Sequence, residues 1–352
     1  MAATATAAED TSGPSIETLE TILNVTYTWG YTETREQLRG LYQKAKHGQW
    51  IPEDVLPWHH QPDLEKPMGP EHLLPLYGSD IYAKLTEREK RQLNAETSSW
   101  TLSQFLHGEQ GALLATAQLV DSVPDLDSKL YGATQVVDEA RHVDVYNRYL
   151  HEKIGFSYPC NPHLKTLLDM VLKDSRWDMK FLGMQIMVEG LALSAFGMIR
   201  MNTQEPLLRD LTAYVMGDEA RHVAFGVLSL RDYYRDQPQS VKAEREDFVY
   251  EAARLMRDRF LFQEVWEKMG LPAKQCMDIA LNNQGQILFR QILFAKIVPA
   301  IKKMDLLSER QRVRFEELGI LKFENAPDPF AELEREEAEM KRRRETAPPP
   351  MA

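Results

Sequence analysis

The pentapeptide Asp-Glu-Ala-Arg-His occurs twice in this chain, at Asp138–His142 and at Asp218–His222, 80 residues apart. A glutamate stands 30 residues before the glutamate of each copy: Glu109 before Glu139, and Glu189 before Glu219. The surroundings match under the same offset, Ala112, Leu113 and Ala115 aligning with Ala192, Leu193 and Ala195. The repeat therefore keeps four carboxylates and two imidazoles in register: Glu109, Glu139, His142, Glu189, Glu219 and His222. Carboxylate oxygen with imidazole nitrogen is a donor set suited to iron or manganese. Four carboxylates without a thiolate argue against structural zinc.

These groups can act together only if the chain brings them to one place. A Glu and a His at i and i+3 share one helix face. In an antiparallel helix pair, residues equally far from the turn lie level. The midpoint of Glu109 and Glu139 is Pro124, and that of Glu189 and Glu219 is Gln204; both fall in expected turns. Each hairpin then offers two carboxylates and one imidazole at one level. The link from Gly155 to Asp174, part helix and part extended, is long enough to return along a bundle, so the two hairpins can face each other. The stripes around Glu109 (Phe105, Leu106, Ala112, Leu113) and Glu189 (Met187, Val188, Leu191, Leu193) are apolar. An unpaired glutamate is costly to bury there, and a pair of cations shared by four carboxylates would offset that cost.

The rest of the chain reads as all-α. Thr86-Glu87-Arg88-Glu89 forms a capping box that opens a helix to about Val120. Further helices are expected at Ser128–Ile154, His163–Lys173, from Ser175 as N-cap with Asp178 at N3 to about Arg200, and, after a turn at Asn202–Pro206, to about Arg235. Residues Ser15–Gln49 look partly helical, and Trp50–Tyr77 reads as a proline-rich arm. Beyond Pro238, helices are expected over Glu244–Met269 and Lys274–Met304, with Pro299 kinking or breaking the second. This divides the chain into a disordered start (1–13), an arm and helix (14–85), a metal-binding bundle (86–235), additional helices packed on it (236–331) and a charged tail (332–352). The tail's Lys341–Arg344 run reads as a solvated end.

With 43% hydrophobic and 27% charged residues, the chain has the composition of a globular protein with a sizeable core. Its net charge is −11, and its basic residues lie among acids, which excludes a nucleic-acid footprint. Cys160 and Cys276 are far apart and form no zinc motif or disulfide framework, which fits a reducing, cytoplasmic setting. No signal-peptide pattern opens the sequence, and no uninterrupted apolar stretch looks long enough to span a bilayer, the nearest being Ile287–Ile301.

The doubled motif with its paired upstream glutamates resembles the ferritin-like dimetal-carboxylate proteins: ribonucleotide reductase small subunits, bacterial multicomponent monooxygenase hydroxylases and their smaller relatives. The resemblance covers roughly Glu96 to Arg235. It implies a ferritin-like four-helix bundle with one long crossover, extra N- and C-terminal helices, and two iron ions (or manganese with iron) held by the six repeat residues. It also implies that Asp218 and its repeat mate Asp138 orient the ligand histidines, with Arg141 and Arg221 as their partners. Tyr146, four residues after His142, stands where many reductase small subunits carry a radical-bearing tyrosine; a buried core tyrosine is the simpler reading. A homodimer is implied by the resemblance alone. The departures are specific. N-oxygenases of the superfamily carry an extra histidine one turn before the second motif, where this chain has Val215. Both spacings here are 30, whereas reductases and large hydroxylases usually have a longer second one.

The expected function is an oxygen-activating oxidoreductase acting with O2 on a small organic substrate, with a separate electron donor, since no flavin or nicotinamide fingerprint is present. A radical-generating or redox subunit using Tyr146, iron oxidation and storage, and a metal-free structural bundle are the alternatives. His59, His60 and His107 read as packing or structural histidines, and Met184, Met187, Met198 and Met201 as flexible core. Phe260, Leu261, Phe262, Val265 and Trp266 read mainly as core, with a substrate channel as the second reading.

Overall fold

The structure is a computed structural model that describes residues 16–33, 35–63 and 69–327. The expected disordered start and the charged tail both fall wholly outside these residues.

The first hairpin begins where expected. Thr86 accepts from the Glu89 backbone N–H, and the Glu89 carboxylate accepts from the Thr86 N–H at 2.8 Å, which closes the capping box. The helix runs over Glu87–Ser122 and turns at Pro124. Asp125 then caps the helix Leu126–Tyr149, accepting from the Ser128 N–H at 2.8 Å. The second hairpin pairs a helix over Trp177–Asn202 with Pro206–Arg235. Pro206 occupies the first position of its helix, where a missing N–H costs nothing, and the Glu205 carboxylate accepts from Leu207 and Leu208. A crossover helix, Pro162–Lys173, links the hairpins and packs on the first. A Cβ on Gly111 would lie 2.5 Å from Leu168 of the crossover helix, so that close approach requires glycine. This is the expected bundle with one long crossover. No strand occurs among the described residues.

Several details differ from expectation. Ser175 does not cap the second hairpin; Arg176 takes that position with no side-chain cap. Asp178 turns inward instead, to pair with Arg245 at 2.9 Å and accept from the Tyr234 hydroxyl. Among the described residues before Gln49, only Glu36–His47 is helical. The C-terminal region is more broken than expected: Gln239–Asp258, Gln263–Lys268, Ala273–Asn282, Gln284–Ile292 and Ile297–Lys303. The expected Lys274–Met304 helix is broken ahead of Pro299, which lies in the first turn of the last of these, where it blocks no helical hydrogen bond. Among the described residues, the one helix long and apolar enough to be a candidate span is Trp177–Asn202, not the region around Ile287. By length and composition it could cross a membrane, yet 72% of its apolar window is buried inside the protein, as befits a core helix.

Candidate metal centre

The bundle brings all six repeat residues together. Glu109, Glu139, His142, Glu189, Glu219 and His222 are each no more than 5% exposed. Nδ1 of His142 lies 3.2 Å from Glu109, 3.2 Å from Glu219 and 3.5 Å from Glu139. Nδ1 of His222 lies 3.2 Å from Glu139, 3.5 Å from Glu219 and 4.0 Å from Glu189. Glu139 and Glu219 thus stand between the two imidazoles, while Glu109 and Glu189 flank one each. Two overlapping donor sets result: Glu109, Glu139, His142 and Glu219, and Glu139, Glu189 and His222, with the donor atoms of each set within 4.8 Å of one another.

The donor chemistry fits a pair of cations. Glu139 Oε2, Glu189 Oε2, both carboxylate oxygens of Glu219 and Nδ1 of His222 are buried without a hydrogen-bond partner. Buried acceptors left this way are costly, and a Lewis acid between them satisfies several at once. The protonation pattern says the same. Burial, with Glu219 beside it, pushes the Glu109 carboxyl up to about 8. Burial and Glu139 push Glu189 well above the carboxylate range. Burial alone would lower both histidines, but Glu109 raises His142 and Glu139 raises His222, each well above its ordinary value. Burial would also raise Glu139; the two histidines outweigh it and hold that carboxyl below its usual range. Without metal, protons supply the positive charge that this cluster requires.

The outer nitrogens of the histidines cross between repeats. Nε2 of His142, in the first hairpin, reaches Asp218 of the second at 3.1 Å. Nε2 of His222 reaches Asp138 of the first at 3.3 Å. Arg141 donates to both aspartates, at 2.5 Å to Asp138 and 3.0 Å to Asp218, and Arg221 donates to Asp218. Asp138, Asp218, Arg141 and Arg221 thus form one network behind the two imidazoles. Sequence reading missed the arm that closes over them: the Trp50 indole donates to Asp218 and the Gln49 amide to Asp138, each at 2.8 Å, and Arg141 lies over the Trp50 ring. Nothing local in a proline-rich arm marks those two residues.

Gln135 was also missed, although its position carried a clue. It lies one turn before Glu139, and its amide donates to Glu139 at 2.9 Å and to Glu189 at 3.0 Å. Its repeat mate is Val215, fully buried and without polar atoms. The helices also differ. Glu109 lies in continuous α-helix, whereas a π-helical segment, Leu182–Val188, ends immediately before Glu189. Such widened turns recur at functional sites. Gly226, one turn past His222, lets its helix press on that segment; a Cβ there would lie 2.8 Å from Gln185 Cβ.

Tyr146 is fully buried between Phe105 and Phe196, and its hydroxyl has no hydrogen-bond partner. His107 bonds the Tyr158 carbonyl, and His60 lies 3.1 Å from Glu205; both are away from the cluster. Met184 and Met187 are core as expected, but Met201 is 85% exposed because it ends its helix at the turn. Of the C-terminal aromatic cluster, Phe260, Val265 and Trp266 are core, while Phe262 lines an apolar cavity of about 180 Å³ with Leu102, Ile199 and Phe289. A smaller cavity of about 20 Å³ lies against Glu109, Glu189 and Glu219.

The family described as p-aminobenzoate N-oxygenase AurF matches residues 31–305. A search of curated proteins found no match. Among solved structures, variants of R2-like ligand-binding oxidase with a Mn/Fe cofactor are similar. One shares 19% identity over 77% of this chain and 93% of its own, with a TM-score of 0.49. Another shares 20% over 78% and 92%, with a TM-score of 0.43. That likeness is distant; the family match and the six converging ligands carry more weight.

Proposed function

The chain belongs to the AurF family, a dimetal oxygenase or oxidase of the ferritin-like superfamily, and from that premise we propose that it is a di-iron enzyme oxidising an organic substrate with O2. In this reading Glu109 and His142 would hold one iron and Glu189 and His222 the other, with Glu139 and Glu219 able to serve both. The observation that carries it is the set of orphaned buried carboxylate oxygens converging from two hairpins. The chemistry supplied by a bound iron pair is O2 activation for C–H or heteroatom oxidation.

The residues do the rest. Asp218 and Asp138 fix which nitrogen of His142 and His222 carries the proton, so that Nδ1 faces inward as a donor. The Gln135 amide holds Glu139 and Glu189 at a set separation. The buried bundle excludes bulk water, which confines an oxidant to the substrate that enters. The family description, an N-oxygenase of p-aminobenzoate, supports a nitrogen oxidation within this class; Val215, in place of the extra histidine, separates this chain from N-oxygenases that carry it. Tyr146 is not the favoured redox group, because its hydroxyl makes no hydrogen bond among the described residues through which a proton could leave on oxidation. Two free cysteines support a reducing, cytoplasmic setting. Exposed Tyr27, Trp29 and Tyr31 on the N-terminal arm support a homodimer. Electrons come from a separate donor.

Metal analysis and stopped-flow spectroscopy test this in wild type and Glu139→Ala. Two irons per chain, and a transient visible absorption when the reduced protein meets O2, lost in the variant, are expected. No iron under replete conditions, or an unchanged variant, refutes the ligand assignment.

A further inference from the structure

The larger cavity, of about 180 Å³, is set apart from the metal cluster. On each bundle helix that lines it, the wall residue nearest a ligand is Leu102 before Glu109, Met198 after Glu189, or Leu208 before Glu219. At about 1.5 Å per helical residue, those steps are roughly 10 to 16 Å. Among the described residues, none lines both this chamber and the small cavity at the cluster. A molecule held in the chamber is therefore out of bonding reach of the metal ligands.

Its shape is fixed by a braced turn. The helix Gln239–Asp258 ends one residue before Arg259, and the chain then turns through Phe262, which sits in the left-handed region at φ 56°. A bulky residue there is strained and needs support. Trp266 donates to the Leu261 carbonyl at 2.7 Å, and Trp100 packs against the Phe262 ring at 4.6 Å. The turn makes Phe262 a wall of the chamber, while Arg259 lines the small cavity.

The chemistry of the walls is uniform. None of the described residues lining the chamber is an Asp, Glu, Lys, Arg or His. Its polar side chains direct hydrogen at backbone carbonyls. Thr97 donates to Leu93 at 2.8 Å and Thr101 to Thr97 at 2.8 Å. The amides of Asn202 and Gln286 donate to the Met198 and Leu73 carbonyls, each at 2.7 Å. A hydroxyl has a single hydrogen, so Thr97 and Thr101, one turn apart on one helix face, are left as acceptors. A carbonyl can only accept, so the Gln286 amide nitrogen must face Leu73 and its oxygen must face away. That oxygen is sheltered and unpartnered, in a residue 5% exposed. The walls thus hold an excess of acceptors and no ion.

We propose that the chamber is a second ligand site, separate from the oxidation centre, and that it takes an uncharged single-ring molecule bearing a hydroxyl group. An apolar cavity of about 150 Å³ lined by Leu, Ile and Phe accommodates benzene. The chamber, at about 180 Å³, leaves room for a ring with one or two small substituents. The ring packs on Leu102, Ile199 and Phe289, and the hydroxyl donates to the acceptor face of Thr97 and Thr101. A carboxylate or an ammonium would lose its hydration there with no opposite charge to meet it. The site does not depend on metal.

The test is calorimetric titration of the full-length, metal-free chain with p-cresol and with 4-methylanisole, which keeps the ring but has no hydroxyl hydrogen. Wild type is compared with the double variant Thr97→Val/Thr101→Val and with Ser98→Phe, together with their melting temperatures. Wild type should bind p-cresol about fivefold more tightly than 4-methylanisole, the effect of one net hydrogen bond. The double variant keeps the shape of both side chains, so it should lose that preference and bind 4-methylanisole as wild type does. Ser98 lines the chamber, and a ring in its place should abolish binding of both probes. The p-toluate anion should not displace p-cresol from wild type. No binding of p-cresol by wild type, equal affinity for the two probes, or displacement by p-toluate would overturn the proposal. So would wild-type p-cresol binding in either variant with its melting temperature kept within about 5 °C. A wild type that binds p-cresol in this way but takes up no iron would refute the di-iron reading and leave this one standing.

Discussion

The crossed pairing of aspartates and histidines makes a directional prediction. Asp218 belongs to the second hairpin, but the ring it accepts from, at 3.1 Å, is that of His142 in the first. Asp218→Asn should therefore weaken the metal held by Glu109 and His142, and leave the one held by Glu189 and His222 nearly intact. Loss of a carboxylate that orients a ligand histidine costs about 10–100-fold in metal affinity. At 1.4 kcal/mol per tenfold, that is about 1.4–2.8 kcal/mol. The assay is a thermodynamic cycle on anaerobic iron or manganese(II) titrations, combining Asp218→Asn with His142→Ala and, separately, with His222→Ala. If Asp218 acts through His142, the first pair is non-additive by about that amount and the second adds to within roughly 0.5 kcal/mol. Coupling to His222 instead, or equal coupling to both, would refute the crossed arrangement. Asp138→Asn should give the mirror result through His222, which it meets at 3.3 Å.

Two further expectations concern protons and the buried phenol. Glu109, raised from 4.5 to about 8, stabilises the metal-free fold below pH 4.5, and that contribution is lost as the pH rises through about 8. The raised histidines lose theirs in the same direction, so the melting temperature of metal-free protein should fall between about pH 6 and 9, while metal-loaded protein should change less. Metal uptake at neutral pH should release more than one proton per chain, read by titration in buffers of different ionisation heat; no release would show that the cluster is already deprotonated. Tyr146→Phe removes a hydroxyl that has no partner. Its stability should lie within about 1 kcal/mol of wild type, and its O2-dependent oxidation should be unchanged; loss of that oxidation would restore the phenol as a redox group.

Much of the bundle was legible because its determinants are local. Thr86 and Glu89 form a cap across three residues, and the two 30-residue spacings place their midpoints in the turns. The six cluster residues were legible for a related reason, since a repeat preserves register and register decides which groups meet. What escaped reading depends on long-range partners. Asp178 looked like part of a helix start, but Arg245 claims it from 67 residues away. Trp50 and Gln49 reach their aspartates across 168 and 89 residues. Arg259 lies outside the repeated unit, in what looked like a continuous helix, and only the turn at Phe262 explains where it points.

Two identical hairpins meeting about a twofold axis would close the same ring of groups, as an isologous dimer does. The crossover helix turns such a pair into a single chain, and a single chain is free to make its halves unlike. It has done so wherever the repeat breaks. An amide in one half faces a valine in the other, at Gln135 and Val215, and a continuous helix in one half answers a widened turn in the other. The cavity beneath Arg259 completes the imbalance, since the repeat supplies no counterpart at that turn. A centre with near-symmetric ligands thereby acquires a front and a back, and its two metal positions are chemically distinct before any substrate arrives.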